Sequence, residues 1–370
     1  AGSRLDTTVH LEGILRSGRP SNNGQDFTAD NSIRLAARKT LYDFGRTSNA
    51  EEAAQLNLRS RQADITSVLD NRRLEIMARY FDVLLADLQF TVDNELMSVR
   101  YVSFDHGKDK LERGQISSLD LAELESRYTD ILEKRNISAQ KQRLTRALLA
   151  NSMNRPGDLP TNLDDPKLIG NRRKLPDFEA LLPILLNNNP QLRGYRELLA
   201  ASQKRMDALS AEARPMLDAE LQASEYSRTA STRDTLSAGL ILSWPLYQGR
   251  RVDSRVVRER SQFNKLQATT EKIKMDLTQA LLETWLDVSQ LQSSARTASQ
   301  KYVDLRDLQL EKSRGLYELE LTSNLGTAMV GTAEANLRAR RTEYELALSM
   351  ARLEALIGIP LEQAVPNHKE

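Results

Sequence analysis

The chain makes one architectural statement twice, about 205 residues apart. Leu41-Tyr42 returns as Leu246-Tyr247, Tyr80-Phe81-Asp82-Val83 as Trp285-Leu286-Asp287-Val288, and Arg146-Ala147-Leu148 as Arg352-Leu353-Glu354. Each copy keeps one order: alternating segment, polar loop, alternating segment, aromatic-glycine corner, very long helical stretch, short tip, long return stretch. Solenoid repeats recur every 20–50 residues or roughly so, which excludes that architecture. A strand hairpin fused to a helical hairpin and used twice points to a symmetric tube more than to a catalytic cleft.

Proline divides the chain. None occurs over 21–155 or 246–359, whereas Pro156, Pro160, Pro166, Pro176, Pro183 and Pro190 fall between. Proline inside a helix costs about 3 kcal/mol, so the proline-free spans permit long helices and the middle reads as a connector. A helix over about 47–106 would run roughly 90 Å at 1.5 Å per residue. Leu56, Ala63, Val68, Leu74, Met77, Phe81, Leu84, Leu85 and Leu88 form a narrow stripe on it, the pattern of a coiled-coil face. The return helix, about 118–153, carries Leu121, Leu124, Tyr128, Ile131, Leu132, Ile137, Leu144 and Leu148. The second copy repeats the plan over about 253–312 and 327–356, with Leu266, Ile273, Leu277, Leu281, Trp285 and Val288 as its outward stripe. A helix over about 182–212 precedes its strands.

Four segments alternate with period two: Leu5-Thr7-Val9-Leu11-Gly13-Leu15, Ile33-Leu35-Ala37-Leu41, Leu217-Ala219-Leu221-Ala223 and Leu236-Ala238-Leu240-Leu242-Trp244. Polar residues interleave, so each predicts a strand with one apolar and one polar face. A soluble antiparallel sheet and a membrane barrel both fit this pattern. Tyr42, Phe44, Trp244 and Tyr247 at the strand ends suit a membrane interface or ordinary packing. If the strands enter lipid, four leave two open edges, and several chains must share one barrel.

Bulk properties narrow the rest. A net charge of +1 gives no electrostatic case for nucleic acid. With no cysteine there is no disulfide, thiolate metal site or lipid-bearing cysteine. No window approaches the about 18 apolar residues of a membrane helix. No signal peptide is visible at Ala1, which leaves a cytosolic protein or one whose leader has been removed. His10, His106 and His368 form neither metal spacing nor a triad, and Gly326-Thr327-Ala328-Met329-Val330-Gly331 lacks a phosphate-loop lysine. No enzyme, metal or cofactor is expected.

The chain resembles the TolC family of outer-membrane exit ducts. The carrying residues are Leu246-Tyr247-Gln248-Gly249-Arg250 after Trp244-Pro245, and their partner Leu41-Tyr42-Asp43-Phe44-Gly45-Arg46. Asn189-Pro190-Gln191-Leu192-Arg193 through Ala211-Glu212-Ala213-Arg214-Pro215 looks like the family's helix leading into a strand, and Arg113-Gly114-Gln115-Ile116-Ser117-Ser118-Leu119-Asp120-Leu121 like its tip. The resemblance implies an α+β membrane protein in the bacterial outer membrane. As a homotrimer it would form a 12-stranded β-barrel continued into the periplasm by an α-helical coiled-coil cylinder. The implied partition is 1–46 first barrel hairpin, 47–154 first helical hairpin, 155–187 equatorial connector, 188–215 leading helix, 216–250 second barrel hairpin, 251–358 second helical hairpin and 359–370 tail. A counterpart leading helix is missing before the first strand, so a longer native precursor is expected.

The resemblance also implies partners: a periplasmic adaptor, an inner-membrane ABC or proton-driven transporter, and outer-membrane lipid, with no nucleic acid. The function implied is export, most directly type I protein secretion, with tripartite drug efflux as the alternative. A periplasmic coiled-coil adaptor or scaffold is the alternative of another class. At the tips, Gly107, Gly114 and Gly315 permit tight turns, Ser117 and Ser118 can cap the return helix, and Asp120 suits its first turn. Capping alone explains these residues as well as docking does. The resemblance favours Gly114, Ile116, Ser117, Leu119, Leu321, Thr322, Ser323 and Leu325 for adaptor contact, and Asp120 and Tyr317 for closing the entrance. Its arginine partner falls at Thr322, and the positions of its acidic ring at Gly326 and Met329, so an acidic gate is not expected. In the second tip Glu320 stands where the first has Gly114.

Overall fold

The structure, a computed structural model, describes residues 5–18, 27–158, 161–227, 233–321 and 324–364. They form two compact units: 1–64 with 191–274, and 65–190 with 275–370. Two long helices run from one into the other. α1 (Arg46–Glu112) leaves the first unit after Asp64, and α5 (Arg251–Gln290) after Lys274.

The first unit is built on a four-stranded sheet. Its strands are β1 (Thr8–Ile14), β4 (Ser32–Tyr42), β5 (Met216–Tyr226) and β6 (Leu236–Ser243), antiparallel in the order β1-β4-β5-β6. A short ribbon of β2 (Ser17–Gly18) and β3 (Thr28–Ala29) extends the first hairpin. The alternation predicted all four main strands, with ends shifted by at most three residues. The register aligns their apolar residues into rows across the sheet. Val9 lies opposite Ala37, Ala37 opposite Leu221, and Leu221 opposite Ala238. The next row is Leu11, Leu35, Ala223 and Leu236. A bulge at Leu41 brings Tyr42 opposite Leu217, so Tyr42 joins the apolar face. On the other face Arg34 pairs with Glu12, Arg38 with Glu220, and Thr40 with Asp218.

Strand turns into helix at two corners by the same device. Phe44 and Gly45 (φ 52° and 86°) and Gly249 and Arg250 (both 59°) adopt consecutive left-handed conformations. Each reverses the chain at a cost that glycine lowers. The Asp43 carboxylate then accepts from the Thr47 amide at 2.8 Å, satisfying a free donor of the first turn of α1. α4 (Pro190–Ser210) lies against α1 at Gly194, where an added Cβ would stand 3.4 Å from the Ser60 carbonyl oxygen. Glu212, in the 3-10 turn Ala211–Ala213, is clasped by Arg46 and Arg255, and Glu259 by Ser202 and Arg205.

The second unit is helical. It holds the rest of α1 and α5, with α2 (Ser118–Ser152), α3 (Phe178–Asn188), α6 (Arg296–Glu318), α7 (Leu325–Ile357) and α8 (Leu361–Ala364). Phe81 stacks on Tyr344 at 4.6 Å between ring centroids, beside Leu84 and Ala347. Arg146 of α2 forks both oxygens of Asp87 on α1, each at 2.8 Å. The proline-bearing stretch is strapped to these helices through its backbone. Tyr80 donates to the Asp164 carbonyl, Trp285 to that of Pro176, and Gln292 to that of Arg173. Asn171 donates to the Glu343 carbonyl and carboxylate, and Tyr344 to the Asp165 carboxylate; burial first and this bond second push the Tyr344 phenol well above its usual range.

Three details depart from expectation. The helix expected over 182–212 is two helices, α3 and α4, parted where Asn189 closes one and Pro190 opens the next. Pro183 sits inside α3, where the connector was expected. α5 and α6 are joined through a π-turn, Leu291–Ala295. The offset between copies is 205 at Tyr80 and Trp285 but 206 at Gly114 and Glu320 (285 − 80 and 320 − 114), so one extra residue enters between. A π-turn is the form a helix takes to absorb a single insertion.

Gly358 closes α7 in the left-handed region (φ 74°), and an added Cβ would stand 2.6 Å from the Asn188 carbonyl oxygen. Replacing it by alanine is expected to destabilise the protein by roughly 2 kcal/mol or more, because neither conformation nor space accepts a side chain. Gly315 sits within α6 with open space around it, so Gly315→Ala should stabilise by up to about 1 kcal/mol. Chemical denaturation of the two variants compares them directly.

Candidate functional site: hairpin tips and the two-faced sheet

The two tips close by one motif. At the first, the Gly114 amide donates to the Leu111 carbonyl and Gln115 to Lys110, both at 2.8 Å. At the second, Glu320 donates to Tyr317 at 3.1 Å and Leu321 to Leu316 at 3.0 Å. Both are the paired 6→1 and 5→2 bonds of a Schellman cap, with Gly114 (φ 69°) and Glu320 (φ 54°) as the left-handed residues. The substitution of Glu320 for Gly114 therefore leaves the turn unchanged. Gly107 and Gly315, expected as turn residues, instead lie inside α1 and α6. Gly107 makes room: a Cβ there would stand 2.6 Å from Leu124 Cδ1.

α2 begins with a full capping box. Ser117 is the N-cap and receives the Asp120 amide at 3.2 Å, while the Asp120 carboxylate accepts from the Ser117 amide and hydroxyl, each at 2.8 Å. These bonds, the backbone amide first and the hydroxyl second, hold the Asp120 carboxyl below its usual 3.8. Ser118 is the first helical residue. Beyond the cap the tip is open. Leu119 is 69% exposed, Ile116 half-buried, and Gly114 and Ser117 exposed. A groove of about 410 Å³ lies beside it between α1 and α2, lined in part by His106, Lys110, Ile116, Asp120 and Arg127.

At the second tip Tyr317, Leu319 and Leu321 are exposed and Leu325 is half-buried. Thr322 and Ser323 lie outside the described residues. Leu319 was not among the expected contacts, although its 70% exposure makes it as available as Leu119. Gly326, where an acidic residue was in question, packs on α1 so closely that a Cβ would meet Val99 Cγ2 at 2.8 Å. Among the described residues, no cluster of histidine or acidic side chains could hold a metal ion.

The sheet offers the second feature. On its apolar face Val9, Leu11, Leu221, Leu236, Leu240 and Leu242 are all exposed. Among the described residues, β1 and β6 each pair with one neighbour only, and no helix is long and apolar enough to cross a membrane. In the helical unit Val68, Ile137 and Leu144, counted on the predicted stripes, are also exposed.

Solved outer-membrane proteins share this fold. Residues 181–320 match the family model described as outer membrane efflux protein, and the recognition of the TolC family holds on that segment together with the fold. The chain superposes on a crystal structure of CusC, reported in connection with transmembrane channel formation, with TM-score 0.75 and 17% identity, covering 96% of this chain and 84% of that one. The outer membrane protein VceC of Vibrio cholerae gives 0.74 and 13%, covering 97% and 88%. The open state of the Neisseria gonorrhoeae outer membrane channel MtrE gives 0.73 and 17%, covering 97% and 82%. Compared with curated proteins, the sequence finds no match.

A non-glycine residue in the left-handed region costs on the order of 1 kcal/mol, so Glu320→Gly should tighten the second tip by about that amount, read as slower hydrogen exchange at residues 315–320. Asp120 works in the opposite sense. Its folded pKa is lowered, so its contribution to the cap is complete above 3.8 and is lost as pH falls through the lowered value. Exchange at 117–121, corrected for intrinsic rate, should quicken only in that acid window, and Asp120→Asn should remove the dependence.

Proposed function

We propose that the chain is the outer-membrane duct of an export machine, three copies sharing one barrel. The observation carrying this reading is the sheet: apolar and exposed on one face, ion-paired on the other and, among the described residues, unpaired at both edges. In hydrocarbon an unpaired strand edge leaves polar backbone groups unsatisfied at several kcal/mol or so each. Joining β6 of one copy to β1 of the next removes every edge, and three copies of four strands make twelve. The polar face then lines the lumen. The exposed leucines of the helices become contacts between neighbouring hairpins, which continue the lumen into the periplasm.

The tips are the docking end. Gly114, Ile116, Ser117 and Leu119 with Leu321 and Leu325 offer an adaptor's helical hairpin a small apolar surface on rigid caps. Asp120 and Tyr317 sit where a neighbouring chain could be linked across the closed entrance. Cargo would come from an inner-membrane transporter of the ABC or proton-driven kind. The corner Tyr42-Asp43-Phe44-Gly45-Arg46 has a structural task in turning strand into helix. It therefore says little about cargo. The efflux description of the matched segment favours small molecules, with protein secretion as the second reading.

The native protein should fractionate with outer membranes and migrate as a heat-modifiable trimer; a freely soluble monomer would overturn the reading. Asp120→Ala and Tyr317→Phe are expected to raise single-channel conductance in a planar bilayer, and unchanged conductance in both would remove them from the closure. Leu119→Asp should lower in-cell crosslinking to the adaptor about tenfold while the trimer persists, the loss expected of one desolvated anchor.

A further inference from the structure

The corner end of the sheet gathers cations that no acid neutralises. Arg214 precedes β5, and Arg250-Arg251 follow β6. Lys39 stands in the second apolar row from this end, opposite Ala219, which in turn pairs with Leu240. All four are exposed, and none is paired with a described acid. Arg214 reaches only the Phe44 carbonyl, at 3.5 Å, and Arg251 only the Gln248 side chain, at 2.8 Å. The acids nearby are otherwise engaged: Glu212 by Arg46 and Arg255, Asp43 by the Thr47 amide, Asp218 by Thr40. Asp6, two residues before β1, and Asp253, in the first turn of α5, are exposed acids at this end, and neither is paired with these four cations.

The same end carries the large aromatic surface. Tyr247 is 89% exposed, Trp244 60% and Tyr42 56%, with Tyr42 packed edge-on against Phe44 at 4.7 Å. Rings with a polar edge beside basic side chains suit the level where acyl chains give way to headgroups. Lys39 fixes the direction. A lysine in an apolar row is tolerated where its stem can carry the ammonium out to the polar boundary, and the nearer boundary is the corner.

We propose that Lys39, Arg214, Arg250 and Arg251 form a binding site for the phosphate of anionic phospholipid in the bilayer leaflet at the corner end. This rests on the barrel reading above. The aromatic side chains seat the acyl-glycerol boundary, and the cations pair with the phosphate, so bound lipid marks the depth at which the sheet stops.

Native mass spectrometry of the detergent-purified full chain tests it, comparing retention of phosphatidylglycerol with phosphatidylcholine of the same acyl chains. The native protein should keep the anionic lipid preferentially. Arg214→Gln/Arg250→Gln/Arg251→Gln should lower that preference tenfold or more, since a basic side chain near an anionic leaflet contributes about fivefold. Arg100→Gln/Arg143→Gln/Arg341→Gln, which removes equal charge from exposed helix positions of the other unit, should leave it unchanged. The proposal is overturned if an intact trimer shows no headgroup preference, if both triple variants lose it equally, or if millimolar inorganic phosphate displaces the lipid completely. Failure to form a trimer at all would count against the barrel reading instead.

Discussion

Backbone hydrogen bonding at the rim of a four-stranded sheet governs what this chain can be. β1 and β6 each present a row of amides and carbonyls with no partner strand among the described residues, and the face between them is apolar and exposed. Water would satisfy the rims but not the leucines, and lipid the leucines but not the rims. Closure of several copies into one barrel answers both demands. The helices obey a related rule. Their apolar stripes are narrow, and Val68, Ile137 and Leu144 remain uncovered after one chain has packed what it can.

Duplication shows which features are backbone requirements and which are residue choices. Both corners use two consecutive left-handed residues, once as Phe44-Gly45 and once as Gly249-Arg250. Both tips use the same cap, with Gly114 in one and Glu320 in the other. Tolerating a glutamate there costs on the order of 1 kcal/mol, small beside the packing of the hairpin behind it. What the copies do not share is equally informative. Only the first tip has a described capping box, and Gly326 at the second is held to hydrogen by Val99.

Much of this was legible in the sequence because period-two and heptad patterns are strong over long spans. The strands appeared as alternation in Leu236-Ala238-Leu240-Leu242, and the helices as proline-free stripes. Turn chemistry was harder. Gly107 and Gly315 look like tip residues, yet a glycine inside a helix serves close packing or nothing visible, and sequence does not separate these uses. Glu320 carried no signal of its left-handed conformation; only alignment with Gly114 did. α3 was partly hidden because Pro183 read as connector. Tip residues were readable as exposed and capped, but docking depends on a second protein whose shape the chain does not encode.

The widened turn at Leu291–Ala295 has a consequence for symmetry. The first copy has an unbroken helix over the matching stretch near Phe90, and its Tyr80 reaches the connector at the Asp164 carbonyl. The second spends its extra residue where Gln292 grips the backbone of the connector. The connector thus meets the two copies by different contacts, a phenol on a regular helix in the first and an amide on a widened helix in the second. A ring built from this chain would therefore repeat once per chain and not once per hairpin.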